Sequence, residues 1–275
     1  MFTSTLITLR EGLEAALIVG IILSLLGRLG QQDRRKSVWA GVVVAVIVSL
    51  IAGLALNALG LAFEGRGEEI FEGLIMIVAA GVLTWMIFWM QSRARTIRVR
   101  LESDVHEAVS VGTGWALFSL AFVAVLREGI ETALFLTATM LSTSPAQALA
   151  GGLLGLVIAI ALGWLIFAVG KQLNVRVFFQ VTGVVLLLFA AGLIAHGIHE
   201  LQEAALFPIA IEHIWDINHV VDENSTIGQL LKALFGYNGN PSLLESIAYG
   251  TYIVVVGVVA WLISKPRQIA EYVAQ

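Results

Sequence analysis

Apolar and polar residues fall in blocks along this chain. Seven long, mostly apolar stretches lie near Phe2–Leu26, Val38–Gly60, Glu69–Met90, Trp115–Leu141, Ala146–Val169, Phe178–Leu201 and Leu243–Ile263, separated by polar connections. A helix of about 20 such residues, rising 1.5 Å per residue, crosses the ~30 Å hydrocarbon layer of a bilayer. Stretches this apolar on every side predict an all-α integral membrane protein with seven transmembrane helices. The first stretch is too long for a signal-peptide core, lacks a basic leader and carries charges in mid-span. It is expected to remain as span 1.

The connections predict an orientation. Arg28, Arg34, Arg35 and Lys36 follow span 1, and Arg93, Arg95, Arg98 and Arg100 follow span 3. Lys171 and Arg176 follow span 5, and Lys265 and Arg267 follow span 7. The intervening loops hold only Arg66 and Lys232 and are rich in acids, among them Glu64, Glu68, Asp216, Asp222 and Glu223. Basic loops stay in the cytoplasm, so the N-terminus is expected outside and the C-terminus inside. The last two basic residues, Arg10 and Arg127, lie within spans.

Spans 1–3 recur as spans 4–6. Leu9-Arg10-Glu11-Gly12-Leu13-Glu14 returns as Leu126-Arg127-Glu128-Gly129-Ile130-Glu131. Ala40-Gly41, Gly53 and Gly60 return at one constant offset as Ala150-Gly151, Gly163 and Gly170, and Ala79-Ala80-Gly81 as Ala190-Ala191-Gly192. A three-span unit enters the membrane in the opposite sense the second time, giving a 3+3 inverted repeat plus one extra helix. The expected organisation is a single membrane domain over 1–275. Repeat 1 covers about 1–91, repeat 2 about 109–204, an outer loop about 205–242 and span 7 about 243–264. Transporters of this build hold their substrate near the midplane, where the repeats meet.

Composition narrows the chemistry. Hydrophobic residues make up 58% of the chain and charged residues 13%, where soluble domains carry about 25% charge. The net charge of −4 and the lack of a basic run exclude a nucleic-acid partner. Cysteine is absent, which leaves only oxygen and imidazole to bind a metal.

Within each motif the arginine and two glutamates project within about 100° of helix arc. Glu11 lies about a third of the way in from the outer face and Glu128 close to halfway from the inner one, so inversion brings both clusters to similar depth. A charge at the bilayer centre costs at least ~2.5–3.5 kcal/mol, so six such groups must face one another, water or a ligand. Small residues four apart flank both motifs: Gly12, Ala16 and Gly20 in span 1, and Gly129, Ala133 and Thr137 in span 4. Spans 1 and 4 are expected to cross at these rows and to pool Glu11, Glu14, Glu128 and Glu131. The plainer reading makes each arginine a staple that neutralises a glutamate. It accounts poorly for two glutamates per arginine, which leave each motif negative. Such a site suits a hard cation. Arg10 and Arg127 keep their protons and would hold the carboxylates ionised and aimed.

The doubled Arg-Glu-Gly-x-Glu motif resembles the signature of the oxidase-dependent, high-affinity iron permeases, whose bacterial branch is the permease of the elemental ferrous-iron uptake system. The resemblance covers almost the whole chain. Trp215-Asp216, Gly228, Leu231, Gly236-Tyr237 and Pro241 in the outer loop, and His199-Glu200-Leu201-Gln202-Glu203-Ala204 at the end of span 6, are similar to the bacterial branch. The resemblance implies that Glu11, Glu14, Glu128 and Glu131 handle iron, with Arg10 and Arg127 beside them. It implies a bacterial inner-membrane location and periplasmic partners that oxidise ferrous iron and pass on ferric. The oxidation state rests on the resemblance alone. Iron is substrate here, and no cofactor is expected.

Other residues carry weaker signals. Glu68, Glu69 and Glu72 at the outer mouth of span 3 form either a solvated helix start favoured by the dipole or a cation-gathering vestibule. His196, His199 and Glu200 share one face of span 6, near Glu203, and are candidate accessory ligands or structural residues. Asp216, His219, Asp222 and Glu223 read mainly as solvated, with docking of a periplasmic partner as the alternative. Trp85, Trp89, Trp115 and Trp261 read as interfacial aromatics, and His106 has no assigned role. A membrane metalloenzyme is the contender from another class, but HExxH is absent and five histidines are too few for a histidine-ligated oxygenase. Within transport, a carrier of manganese or lead is the nearer rival.

Overall fold

The computed structural model describes residues 1–93, 97–169, 175–209, 211–223 and 225–264. Arg95, Gly170, Lys171, Lys265 and Arg267, which enter the predicted orientation and repeat, lie outside these residues. Each of the seven apolar stretches forms one helix: α1 Phe2–Arg28, α2 Arg35–Ala62, α3 Arg66–Arg93, α5 Gly114–Ser142, α6 Pro145–Val169, α7 Val175–Glu203 and α9 Leu243–Ser264. Among the described residues, two α-helices fall in predicted connections, α4 over Ile97–Ser110 and α8 over Thr226–Phe235, and a 3-10 turn covers Gln32–Arg34.

Five helices (α2, α3, α6, α7 and α9) are long and apolar enough to cross a membrane. α1 and α5 are as long, at 27 and 29 residues, but carry the motif charges in mid-helix. Leu54 and Ile51 of α2, Leu153 and Val157 of α6, and Val254 and Leu262 of α9 point outward. Apolar surface this continuous is untenable in water and fits a bilayer. The protein is a multi-pass membrane protein.

Helix ends follow local chemistry. α1 closes on Gly30 at φ +69°, with Gln31 N–H donating to Leu26 O at 2.9 Å, the left-handed turn that glycine permits. α9 opens with a reciprocal cap. Ser242 N–H donates to Glu245 Oε1 at 3.1 Å, and Glu245 N–H to Ser242 Oγ at 3.3 Å.

The closest helix pairs are α1 with α6, α2 with α5 and α3 with α7. Glycines set their spacing. A Cβ at Gly12 would stand 2.8 Å from Ala159 Cβ, and one at Gly129 would strike Ser49. Added at Gly41 it would meet Phe118 O of α5 at 2.5 Å, and at Gly155 it would strike Thr5 O of α1. This corrects the expected crossing. Gly12, Ala16 and Gly20 of α1 face Ala159, Gly163 and Phe167 of α6, while Gly129 and Ala133 of α5 face Ser49 and Gly53 of α2. The small rows seat flanking helices. α1 and α5 meet along other faces, which carry the charges, because a carboxylate pair and a tight backbone crossing cannot share one strip of helix.

The main core joins α1, α3, α5 and α7 through Ile7, Met76, Leu83, Phe135, Leu186 and Phe189. A second cluster lies under α4, whose Leu101, Val105 and Ala108 pack against Ile22 and Leu26 of α1 and Leu117 and Ala121 of α5. α8 caps the other end, where Gly236 at φ +65° lies on Gly192 of α7.

Candidate metal centre

The two motifs converge in the interior. α1 delivers Arg10, Glu11 and Glu14, and α5 delivers Arg127, Glu128 and Glu131. All four glutamates and Arg10 are buried. Within α1, Arg10 Nε stands 3.3 Å from Glu14 Oε1 and Nη1 3.9 Å from Glu11 Oε1. Within α5, Arg127 Nη2 pairs with Glu128 Oε1 at 2.8 Å and Nε approaches Glu131 Oε1 at 3.5 Å.

Across the helices, one carboxylate oxygen each of Glu11, Glu128 and Glu131 lies within 4.8 Å of the others. Hard cations take oxygen at about 2.0–2.6 Å, so oxygens on opposite sides of one ion stand about 4–5 Å apart. The three are spaced to share one ion. Glu14, expected in the same pool, lies outside this trio and turns to Arg10. Both oxygens of Glu11, Glu14 Oε1, Glu128 Oε2 and Glu131 Oε2 find no hydrogen-bond donor. Buried carboxylate oxygens without donors are costly, and a coordinated cation removes that cost.

The arginines, equivalent in sequence, differ in setting. Arg10 is 1% exposed and donates from Nη2 to Met90 Sδ at 3.4 Å. Arg127 is 40% exposed, and its guanidinium lies 4.9 Å from the centre of the Trp89 ring. Trp89 therefore does more than the interfacial role expected of it. Trp85, Trp115 and Trp261 are exposed.

The weaker candidates gather at the end where α3 begins and α7 ends. Glu200 feels the charges of Glu72, Glu203 and Glu69. His196, His199 and Glu200 line a cavity of about 510 Å³. His199 Nδ1 lies 3.1 Å from Glu245 Oε1, and Nε2 lies 3.3 Å from Glu203 Oε1. Asn238 Nδ2 donates to Glu245 Oε2 at 2.8 Å. Glu223 is drawn inward, accepting from Gly239 N–H at 2.5 Å, whereas Asp216 and His219 stay exposed. Glu68 is exposed as well. Sequence reasoning missed Glu245. Its one local signal is Ser242-x-x-Glu245, which announces a helix cap and gives no hint of the histidine 46 residues earlier.

A membrane-embedded helical protein with a carboxylate trio between two charged helices has the build of an ion permease. The chain belongs to the iron permease FTR1 family, whose model matches residues 1–273. It is 38% identical over 256 residues to the ferrous iron permease EfeU of Yersinia pestis, covering 92% of this chain and 91% of that protein. The ferrous iron permeases EfeU of Yersinia pseudotuberculosis (255 residues, 92% and 90% covered) and of Escherichia coli O6:K15:H31 (256 residues, 92% and 93% covered) are equally similar, at 38%. No solved structure matches. The relatives are transporters, and an enzyme is not what this chain resembles.

Proposed function

We propose that this permease carries iron across the bacterial inner membrane through a site shared by Glu11, Glu128 and Glu131, with Glu14 beside it and Arg10 and Arg127 as its fixed counter-charges. The mutual approach of the three buried carboxylate oxygens to within 4.8 Å is the observation that carries this reading. Seven helices span, with the N-terminus outside and α4 in the cytoplasm. Paired contacts support an inverted repeat. Gly12 on Ala159 has its counterpart in Gly129 on Ser49, and Gly41 on Phe118 in Gly151 on Met1.

The species that enters is ferric, formed by periplasmic partners that oxidise ferrous iron and hand it over at the outer end. Glu68, Glu69, Glu72, His196, His199 and Glu200 form the vestibule that gathers it, and the Asp216–Glu223 loop offers those partners a surface. An inward-negative potential favours inward movement by about 2.3 kcal/mol per charge per 100 mV, roughly 7 kcal/mol for a trivalent ion. Passive uniport is thermodynamically sufficient.

Uptake of iron, manganese and lead into proteoliposomes, with iron held ferric by a weak chelator or ferrous by ascorbate, tests this. Ferric uptake lost in Glu131→Ala supports it. Uptake of ferrous iron alone would overturn the oxidation state, and preference for manganese or lead would overturn the metal.

A further inference from the structure

Beneath α4 lies a second cavity, of about 750 Å³, bounded by α1, α4, α5 and the end of α3. Its charged and aromatic walls are Trp89, Arg127 and Glu128 together with Arg100, Asp104 and Glu107 of α4. Glu128 thus belongs both to this cavity and to the carboxylate trio. The Arg127 guanidinium lines this cavity, is bonded to Glu128 and is laid over the Trp89 ring.

From this placement we infer that Arg127 and Trp89 form the gate on the α4 side of the ion site, and that the cavity below α4 is the way out. The inference rests on the proposed use of the carboxylate trio and adds the route and its control. A cation leaving Glu128 toward the cavity must pass a guanidinium, which repels it. Arg127 is 40% exposed and so has room to swing away, while Arg10 at 1% has none. The two arginines divide the work: Arg10 is a static counter-charge, and Arg127 is a counter-charge that moves. Asp104 and Glu107 are exposed on α4 and supply carboxylates to meet the guanidinium when it swings, or the ion as it leaves. The ring of Trp89 holds the closed position by cation–π attraction. The apolar stripe of Leu101, Val105 and Ala108 fixes α4 over the exit, and Arg34 Nη1 ties its end by donating to Val109 O at 3.2 Å.

Two variants of the full chain test the gate. In Trp89→Ala, radioactive iron bound to the protein in detergent should dissociate about two- to five-fold faster, the size of an exposed cation–π contact, with the equilibrium affinity unchanged. Ala124→Cys places a thiol in the cavity wall, one turn before Glu128, in a chain free of other cysteines. Modification with a bulky neutral maleimide should stop flux into proteoliposomes and leave iron binding in detergent intact. Unchanged dissociation in Trp89→Ala, or full flux through fully modified Ala124→Cys protein, would overturn the gate. So would loss of affinity in step with the rate, since Trp89 would then belong to the site itself. Wild-type protein that binds no iron would sink the carboxylate reading as a whole, whereas failure confined to the variants sinks only the gate.

Discussion

At the scale of single residues, the six motif charges are not interchangeable despite their repeated pattern. Glu11, Glu128 and Glu131 each bring an oxygen within 4.8 Å of the others, and Glu14 pairs with Arg10 outside that group. Glu11→Gln, Glu128→Gln and Glu131→Gln should each abolish iron uptake at matched membrane levels. Glu14→Gln should retain part of it, losing about 10–100-fold as a residue that orients ligands does. Equal loss in all four would place Glu14 among the ligands. The arginines should separate on stability. Removing one partner of a buried ion pair costs about 3–5 kcal/mol, so Arg10→Met should lower the melting temperature in detergent sharply. Arg127→Met removes a half-open side chain and should lower it less, although it leaves Glu128, 2% exposed, without the partner it holds at 2.8 Å.

The helices as elements depend on close backbone approach at a few glycines. Gly41→Ala and Gly155→Ala each drive a methyl into a neighbouring helix's carbonyl, that of Phe118 and that of Thr5 respectively. Overpacking of this kind costs about 1–3 kcal/mol. Gly81 matches Gly192 in the repeat, but nothing lies within 4 Å of its added Cβ. Gly81→Ala should therefore be neutral or stabilising by about 0.5–1 kcal/mol, and melting curves of the three variants would show the contrast. At the far end, Ser242→Ala should cost about 1 kcal/mol through the lost cap of α9. It also loosens Glu245, which holds His199.

On the scale of the whole molecule, the orientation can be read by labelling, because the chain has no cysteine to remove. Cysteines at the exposed positions Lys36 and Ser103 should react with a membrane-impermeant maleimide only from the cytoplasm. Cysteines at Glu64 and His219, also exposed, should react only from the periplasm. Reaction of Ser103→Cys from outside would overturn the inverted arrangement. The side from which Ser103→Cys reacts also shows which face of the membrane the α4 cavity opens to.

What can be read in the sequence and what cannot divide along a physical line. A bilayer demands long apolar helices, and a buried charge must have a reason. The seven long helices, the doubled motif and the burial of its glutamates therefore follow from local composition alone. α4 and α8 escape that reading, because a 14-residue amphipathic helix and a 10-residue one carry too little apolar length to stand out beside a membrane span. The small-residue rows were legible as crossing surfaces, but not the helices they receive. Gly12 accepts Ala159 and Gly129 accepts Ser49, since any smooth helix fits such a row and only the packing of the whole bundle chooses. Tertiary structure likewise decided that three glutamates meet while the fourth stands back, that Trp89 lies against Arg127, and that Glu245 reaches His199. Sequence spacing fixes directions within one helix. Distances between helices depend on how all of them pack at once.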